Sequence, residues 1–569
     1  MLILIKKNYI ALVLAFCMGA ITAAPQMFAI YNADSLWNGI YPTNNDDEHY
    51  YLTRVQEVYD GYPTIAQPYL SEGKEGQPLQ FWLPDVVAAK IGIFLEVSPP
   101  QLFIIMDFVF PVIIFLILYW IGFLLLRDRG VANIFALSIS SVAFLSYFSR
   151  PISPQLTIIP FLVFLGSFFS LIQDQRTRWL VLASLSFGAL FHAYTYYWTH
   201  AVVFLCIVGF AFLVRKNIPL CKRVGIIFVA GLFIGVPYLV QIFSSHALGS
   251  YSDTVQRLGM LETHFPSGIL VVFLNLVALI LLCCGYFFKL ISISPISTSL
   301  LAFVLSSPVV MNHHVITGMN LEFSSHYRVM GVISATLCIF YVLHEVCKKY
   351  KYFKLVKFFV AGCMVSVALY SGYIFWNTYS SLNDDEIHLQ QYGEVIRWIQ
   401  NQTDHRAHTY FAHQELSAII PAYTSANVYY AREANLHFMT NEEVETRYVV
   451  SKYFEDEVTH EDVLKDERAI FGTWYLNNYG HTQQQNQLRK LLGLEIKYAE
   501  RYPDTQSVLS HWEKNKTMNF TDLINNANVT HIIWDKENDP EWEDEIMKLD
   551  LSLVFSTEKI LIYSFSNVR

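Results

Sequence analysis

Charge is what this chain has least of. Asp, Glu, Lys and Arg make up 15% of its 569 residues, whereas soluble domains carry about a quarter. An ordinary soluble enzyme is thereby excluded. No basic stripe runs along the chain and the formal net charge is −9, which excludes a nucleic-acid partner of the usual electrostatic kind. No H-x-x-x-H helix or comparable ligand spacing occurs, so a zinc site has no support. Internal repeats and low-complexity tracts are lacking. The eight cysteines (Cys17, Cys206, Cys221, Cys283, Cys284, Cys338, Cys347 and Cys363) all fall in apolar runs or in the turns on one side of them. The segments on the other side therefore fold by packing, without disulfides.

What is plentiful is apolar: 53% of the residues are hydrophobic and 15% aromatic. They cluster in blocks of roughly 17 to 25, the length of helix that crosses about 30 Å of hydrocarbon. About eleven such blocks are expected as spans, at 8–30, 102–126, 131–148, 156–173, 179–193, 198–214, 224–242, 268–288, 294–311, 328–346 and 356–377. The first also has features of a signal peptide, with Lys6 and Lys7 before a run ending "ITAAPQ". Pro25 would then follow the cut, an unfavourable place, so a retained helix is expected. Either reading exports the next loop.

Lys and Arg concentrate on the cytoplasmic side. Lys6/Lys7, Arg127/Arg129, Arg176/Arg178, Arg215/Lys216 with Lys222/Arg223, and Lys348, Lys349, Lys351, Lys354 and Lys357 all agree with one alternation of spans. The opposite, exported side then holds loop 31–101, turns near 149–155 and 193–199, loops 243–267 and 312–327, and everything after 378. From 378 to 569 polar, charged and aromatic residues mix at globular proportions. β-like runs are "THIIWD" (530–535) and "KILIYSF" (559–565), and Ile387, Tyr392, Val395, Ile396 and Ile399 can share a helix face. The expected architecture is a polytopic α-helical membrane part, residues 1–377, with an exported α/β domain, residues 378–569.

Five polar clusters fall on the exported side: "DDEHYY" (46–51), "RPISPQ" (150–155), "HAYTYYWTH" (192–200), "HHVITGMNLEFSSHYR" (313–328) and the loop residues Asp253, Arg257, Glu262 and His264. Ionisable groups at membrane depth are costly and usually line a functional cavity. Their convergence on one face points to a site at the exported membrane surface. Each also has a structural reading. The cluster with His192 and Tyr196 suits an interfacial aromatic belt, "RPISPQ" suits a helix-ending turn, and His313 and His314 suit a solvated loop. Asp46 or Asp47 would cap a helix whose apolar face is Leu52, Val55 and Val58.

Loop 46–94 adds a sequence pattern. Asp47-Glu48 with Tyr51, then Gly61, Pro68, Gln77-Pro78-Leu79 and Trp82-Leu83, resembles the first exported loop of the GT-C-fold, lipid-linked-sugar glycosyltransferases, particularly the aminoarabinose transferase and protein O-mannosyltransferase group. That loop looks like D-E-x-x-Y, a helix ending at Gly, a Pro, then K-P-P-L-x-x-W-L. Gln77 replaces the first proline of the pair, the lysine is displaced to Lys74, and Asp46 precedes the acidic pair. The close match covers about fifty residues, and these departures leave sugar and acceptor open.

The resemblance implies a polyprenyl-phosphate-sugar donor, a glycan, lipid or protein acceptor, and a bacterial inner (plasma) membrane setting with the C-terminal domain outside. It makes Asp47 the candidate base, with Glu48 or Asp46 orienting the acceptor. A divalent cation held by Asp46 and Asp47 is the one cofactor that would suit oxygen ligands here. Position and charge nominate Arg328 and His326, then Arg150, for the lipid phosphate. Tyr51, His192, Tyr196 and His314 are candidate substrate contacts. Tyr423, Tyr429 and Tyr430 in the C-terminal domain offer faces for a sugar, and serve equally as core. Two other classes compete. A transporter or flippase for lipid-linked or anionic substrates would collect polar groups too, but commonly shows repeats and midplane sites. A membrane-anchored binding protein would not need charged turns across so many spans.

Overall fold

A run of apolar residues in lipid has to satisfy its own backbone, and a helix does so within the segment. The computed structural model describes residues 2–43, 47–79, 81–321, 324–349, 353–402 and 405–565. The chain starts with α1 (Leu2–Ala33), two shorter helices, α2 (Asp47–Tyr59) and α3 (Leu83–Leu95), and then α4 (Pro99–Leu126) and α5 (Arg129–Ile139). There follow α6 (Thr157–Asp174), α7 (Thr177–Ala193), α8 (Thr195–Val214), α9 (Ile218–Ser245), the short α10 (Tyr251–Arg257), α11 (Ile269–Phe287) and α12 (Pro295–Met311). The short α13 (His314–Thr317), α14 (Tyr327–Cys347) and α15 (Phe353–Tyr379) complete the helical part. Among the described residues nine helices, α5 counted with its continuation to Tyr147, are long and apolar enough to cross a membrane. With α7 and the shorter apolar α12, the eleven expected helices are all present.

The turns assigned to one side by their basic residues do meet at one end of the bundle. Lys357 Nζ lies 2.6 Å from Asp128, Arg223 donates to the Gln175 carbonyl at 2.6 Å, Arg215 to that of Ile293 at 3.1 Å and Lys349 to that of Lys289 at 3.3 Å. The other end is closed by loop 34–98 and the C-terminal residues. There Trp82 Nε1 donates to Gln241 at 3.2 Å, and Arg257 donates to the Met439 carbonyl at 2.7 Å. A two-residue ladder, β1 (Leu261–Glu262) antiparallel to β2 (Met319–Asn320), ties loops 243–267 and 312–327 together there.

After α15 the chain forms α16 (Asp384–Leu389), opened by a reciprocal cap between Asn383 and Glu386, and α17 (Gly393–Gln400). Tyr392, Val395, Ile396 and Ile399 are buried as the periodicity requires, but Ile387 is exposed, because a tighter turn at Gln390–Tyr392 breaks the helical phase. Strands β3 (Thr409–Phe411), β4 (Asn427–Val428), β5 (Val529–Asp535), β6 (Leu551–Ser556) and β7 (Ile560–Phe565) form one mixed sheet in the order β4-β3-β5-β7-β6. β3 runs parallel to β4 and β5, while β7 is antiparallel to β5 and β6. The two runs read as β-like are β5 and β7. Every residue of β5 is buried, as expected of a central strand covered on both faces.

The helix α18 (Gln414–Tyr423) packs along α2. One continuous core joins Tyr51, Leu52 and Val55 of α2 and Phe103 and Met106 of α4 to Tyr392, Ile420 and Ile562. The composition changes at 378, but the packing crosses that point.

Candidate functional site

α2 carries the acidic cluster, and its position is set by ion pairs on its far side. Asp47 and Glu48 occupy the first turn, where the helix dipole favours negative charge. Leu52, Val55 and Val58 are buried, and Gly61 reverses the chain at φ 101°. Arg54 holds α2 to α3 through Asp85, and Lys74 Nζ meets Glu57 at 2.8 Å. Burial pushes the Glu57 carboxyl up to about 7 despite Lys74. The N-terminus of α2 is thereby fixed at the end of the bundle.

There Asp47 meets Arg150, Oδ2 to Nη2 at 2.6 Å, with the Asp47 side chain 52% and the Arg150 side chain 16% exposed. Arg150 sits where the ladder of α5 has given way to irregular turns running through Leu156, around Pro151 and Pro154; the Ser153–Pro154 bond is cis. Burial alone would lower the guanidinium pKa, but Tyr51 and Asp47 beside it hold it above its ordinary value. Burial raises the Tyr51 hydroxyl in turn. The Arg150 Nε is buried without a hydrogen-bond partner among the described residues.

Arg150 lines a small cleft, about 20 Å³ in volume, together with Tyr147, Ser153, Pro154, Tyr194, Tyr197, His326 and Val329. Tyr194 Oη and His326 Nδ1 are hydrogen-bonded, and the two rings stack with centroids 5.6 Å apart. Burial and the nearby Arg150 charge push His326 down to about 4, so it faces the cleft as a neutral imidazole. The chemistry on offer is one cation, several hydroxyls and one half-exposed carboxylate, side by side at the bundle end.

Of the residues singled out in the sequence, the structure brings Asp47, Tyr51, Arg150 and His326 together. Tyr196 stands against His326 edge-to-face at 5.2 Å, behind the cleft wall. Glu48 is buried and lies on the Tyr423 side of α2, where its charge is felt by the Tyr423 hydroxyl. His192 bonds the Ile234 carbonyl at 3.0 Å, and the buried His314 bonds that of Phe265 at 2.8 Å; neither lines the cleft. Arg328 is exposed and lies outside the cleft lining. Tyr423, Tyr429 and Tyr430 are buried. Asp46 lies outside the described residues. Among the described residues no group of three acidic, His or Cys side chains gathers as a metal site. Asp47, the described member of the Asp46/Asp47 pair, faces the Arg150 guanidinium.

Three features escaped residue-by-residue reading. Tyr147, Tyr194 and Tyr197 look like belt aromatics in sequence, and only the irregular turn at 150–156 aims them at one space. Arg54 and Asp85, 31 positions apart, carry no shared motif. Glu433 has no apparent link to the acidic cluster, yet its carboxyl lies within the field of Asp47.

No family model matches the chain, and no curated protein matches it. Among solved structures it is similar to the aminoarabinose transferase ArnT from Cupriavidus metallidurans bound to undecaprenyl phosphate, at 11% identity and a TM-score of 0.47, over 96% of this chain and 97% of that one. It is also similar to ArnT from Cupriavidus metallidurans in the apo state, at 12% identity and a TM-score of 0.43, with the same coverage.

Proposed function

We propose that this protein is a membrane glycosyltransferase that moves a sugar from a polyprenyl-phosphate donor to an acceptor hydroxyl on the exported face, with inversion. The observation that carries the reading is the Asp47–Arg150 ion pair, whose guanidinium lines a small cleft with Tyr194, Tyr197 and His326. A lipid-linked donor keeps its tail in the bilayer and its phosphate at the surface, and a site at the end of the helical bundle suits that phosphate. The acceptor O–H attacks the anomeric carbon from the side opposite the phosphate, and its proton passes to the Asp47 carboxylate. The bond from the anomeric carbon to the phosphate oxygen breaks, and its electron pair leaves on the polyprenyl phosphate. Charge growing on that phosphate is stabilised by Arg150, whose Nε–H has no acceptor among the described residues, and by the Tyr194 and Tyr197 hydroxyls. When the phosphate arrives it competes with Asp47 for the guanidinium, which frees the carboxylate to take a proton.

The test is a headgroup-transfer assay on purified protein in lipid nanodiscs with defined polyprenyl-phosphate sugars, comparing the wild type with Asp47→Asn. Transfer that depends on Asp47 supports the proposal. Equal transfer by both proteins, or binding of the donor with no transfer to any hydroxyl acceptor, overturns it.

A further inference from the structure

The C-terminal residues include a helix, Trp474–Leu491, that the transfer chemistry does not use. Its inner face carries the buried Thr482 and Asn486. The opposite face ends in Leu488, Leu491 and Leu492, spaced i, i+3 and i+4 and all exposed. Gly493, at φ 67°, ends the helix in the left-handed region that glycine enters most readily, and the chain returns alongside. On the return Leu494, Ile496 and Tyr498 are exposed at alternate positions.

Hydrogen bonds hold the return in place. Asn486 Nδ2 donates to the Lys497 carbonyl at 2.8 Å and its Oδ1 accepts from the Lys497 amide at 2.9 Å. The Leu494 amide donates to the Arg489 carbonyl at 2.9 Å, and the Arg489 side chain donates to the Glu495 carbonyl. Two short apolar rows are thereby held outward, with Leu491 83% and Tyr498 87% exposed. Contiguous apolar surface of this kind marks a contact with something else.

Position and charge identify that contact. The helix starts against loop 243–267: the Thr473 amide donates to the Arg257 carbonyl at 2.8 Å, and Gly259 leaves room for the Thr473 and Asn477 side chains. About two turns on, Gln485 donates to the Thr263 hydroxyl at 3.5 Å. The helix therefore advances beside the loop in the direction in which the loop approaches α11. α11 begins six residues after Thr263, at Ile269, and Leu491 stands six residues after Gln485. Ile269 and Leu270 are exposed, as lipid-facing residues of a span are, and so is Ile316 in the loop paired with 243–267. Among the apolar residues stand Arg489, Lys490 and Lys497 against Glu495 alone, and both lysines are exposed. Basic residues bordering an apolar face suit anionic headgroups above acyl chains. A second copy of the chain, meeting this patch symmetrically, would set like charge against like.

We propose that residues 488–498 form a membrane-surface anchor: the apolar rows enter the leaflet beside α11, and the basic residues hold anionic lipid phosphates. The anchor gives the C-terminal domain a second hold on the bilayer besides α15, and it is independent of the transfer chemistry.

The test uses the full chain in nanodiscs of phosphatidylcholine, alone or mixed with phosphatidylglycerol. Lipids carrying a diazirine in the acyl chain are photolysed on the unmutated protein, and the adducts are mapped by mass spectrometry. The expected result is adducts within residues 488–498, severalfold more of them in the anionic discs, with the excess lost in Lys490→Gln/Lys497→Gln. In a cysteine-free background, a nitroxide on Tyr498→Cys should collide more often with oxygen, which concentrates among acyl chains, than with a water-borne nickel complex. Adding Leu491→Glu/Ile496→Glu should reverse that order, and these exposed positions leave the buried core untouched. Absence of adducts in this stretch, equal yields from neutral and anionic discs, or a label on Tyr498→Cys that meets mainly the nickel complex overturns the proposal. Dipolar coupling between labels on two chains also overturns it, since a second copy would then cover the patch.

Discussion

Arg54 and Asp85 meet edge to edge, Nε to Oδ1 at 3.0 Å and Nη2 to Oδ2 at 2.7 Å, and both side chains are out of contact with solvent. The remaining guanidinium nitrogen donates to the Tyr50 hydroxyl at 3.0 Å. This pair joins α2 to α3, and so sets where Asp47 stands seven residues earlier. Removing one partner of a buried pair typically costs about 3–5 kcal/mol, whereas replacing both by apolar groups is often neutral. Arg54→Met is therefore expected to lower the melting temperature of the protein in nanodiscs strongly, and Arg54→Met with Asp85→Leu to recover most of the loss. An Arg54→Met protein that melts as the wild type does would show that the pair does not hold α2.

Arg150→Lys should weaken binding of polyprenyl phosphate. Lysine keeps the charge but loses the planar fork and the Nε–H. Hydrogen bonds to charged groups are worth about 1.5–3 kcal/mol, so a loss of about 10- to 100-fold is expected. Binding measured by displacement of a labelled polyprenyl phosphate checks it, and unchanged affinity would move the phosphate site elsewhere, with the exposed Arg328 the next candidate.

His326 gives a pH signature. Its folded pKa is depressed to about 4, below the unfolded value of about 6.5. Between those values the unfolded chain takes up a proton that the folded chain refuses, so its contribution to stability falls as pH drops from 6.5 towards 4. At pH 5 the penalty is about 2 kcal/mol. Relative to the wild type, His326→Asn should gain in melting temperature as pH falls from 7 to 5. A gap that stays constant with pH would mean that the imidazole is charged in the folded protein.

The helical part was legible because its code is local. Eleven apolar runs become eleven helices, and the basic turns fix which ends lie together, as Lys357–Asp128 and Arg223–Gln175 confirm. The acidic cluster was legible as well, since Asp47 at a helix start depends on neighbours in sequence. What the sequence does not carry is contact between distant segments. Nothing near Arg150 announces that it pairs with a carboxylate 103 positions earlier, and nothing near Glu433 announces Asp47. Residues 378–569 read as a separate unit by composition, yet Tyr51 and Val55 share a core with Tyr392 and Ile420. The expectation that Tyr423, Tyr429 and Tyr430 serve as core or as sugar platforms resolves toward core, since all three are buried.

The orientation in the membrane is expected to follow the basic turns. In a cysteine-free background, Ser71→Cys, Ser252→Cys and Ser507→Cys should each react with an impermeant thiol reagent from the exported side. Reaction of Ser507→Cys from the cytoplasm alone would place the C-terminal domain on the wrong side for the proposed site.

The most direct measurement of the central claim is single-turnover transfer by Asp47→Asn with the donor lipid already bound. Asp47 is half-exposed at a helix start, so the variant should fold and melt near the wild type. Loss of a general base typically costs about 10²–10⁴-fold. The account predicts that donor binding is retained while the rate of sugar transfer falls by about that factor. Transfer at the wild-type rate from a fully bound donor would contradict it.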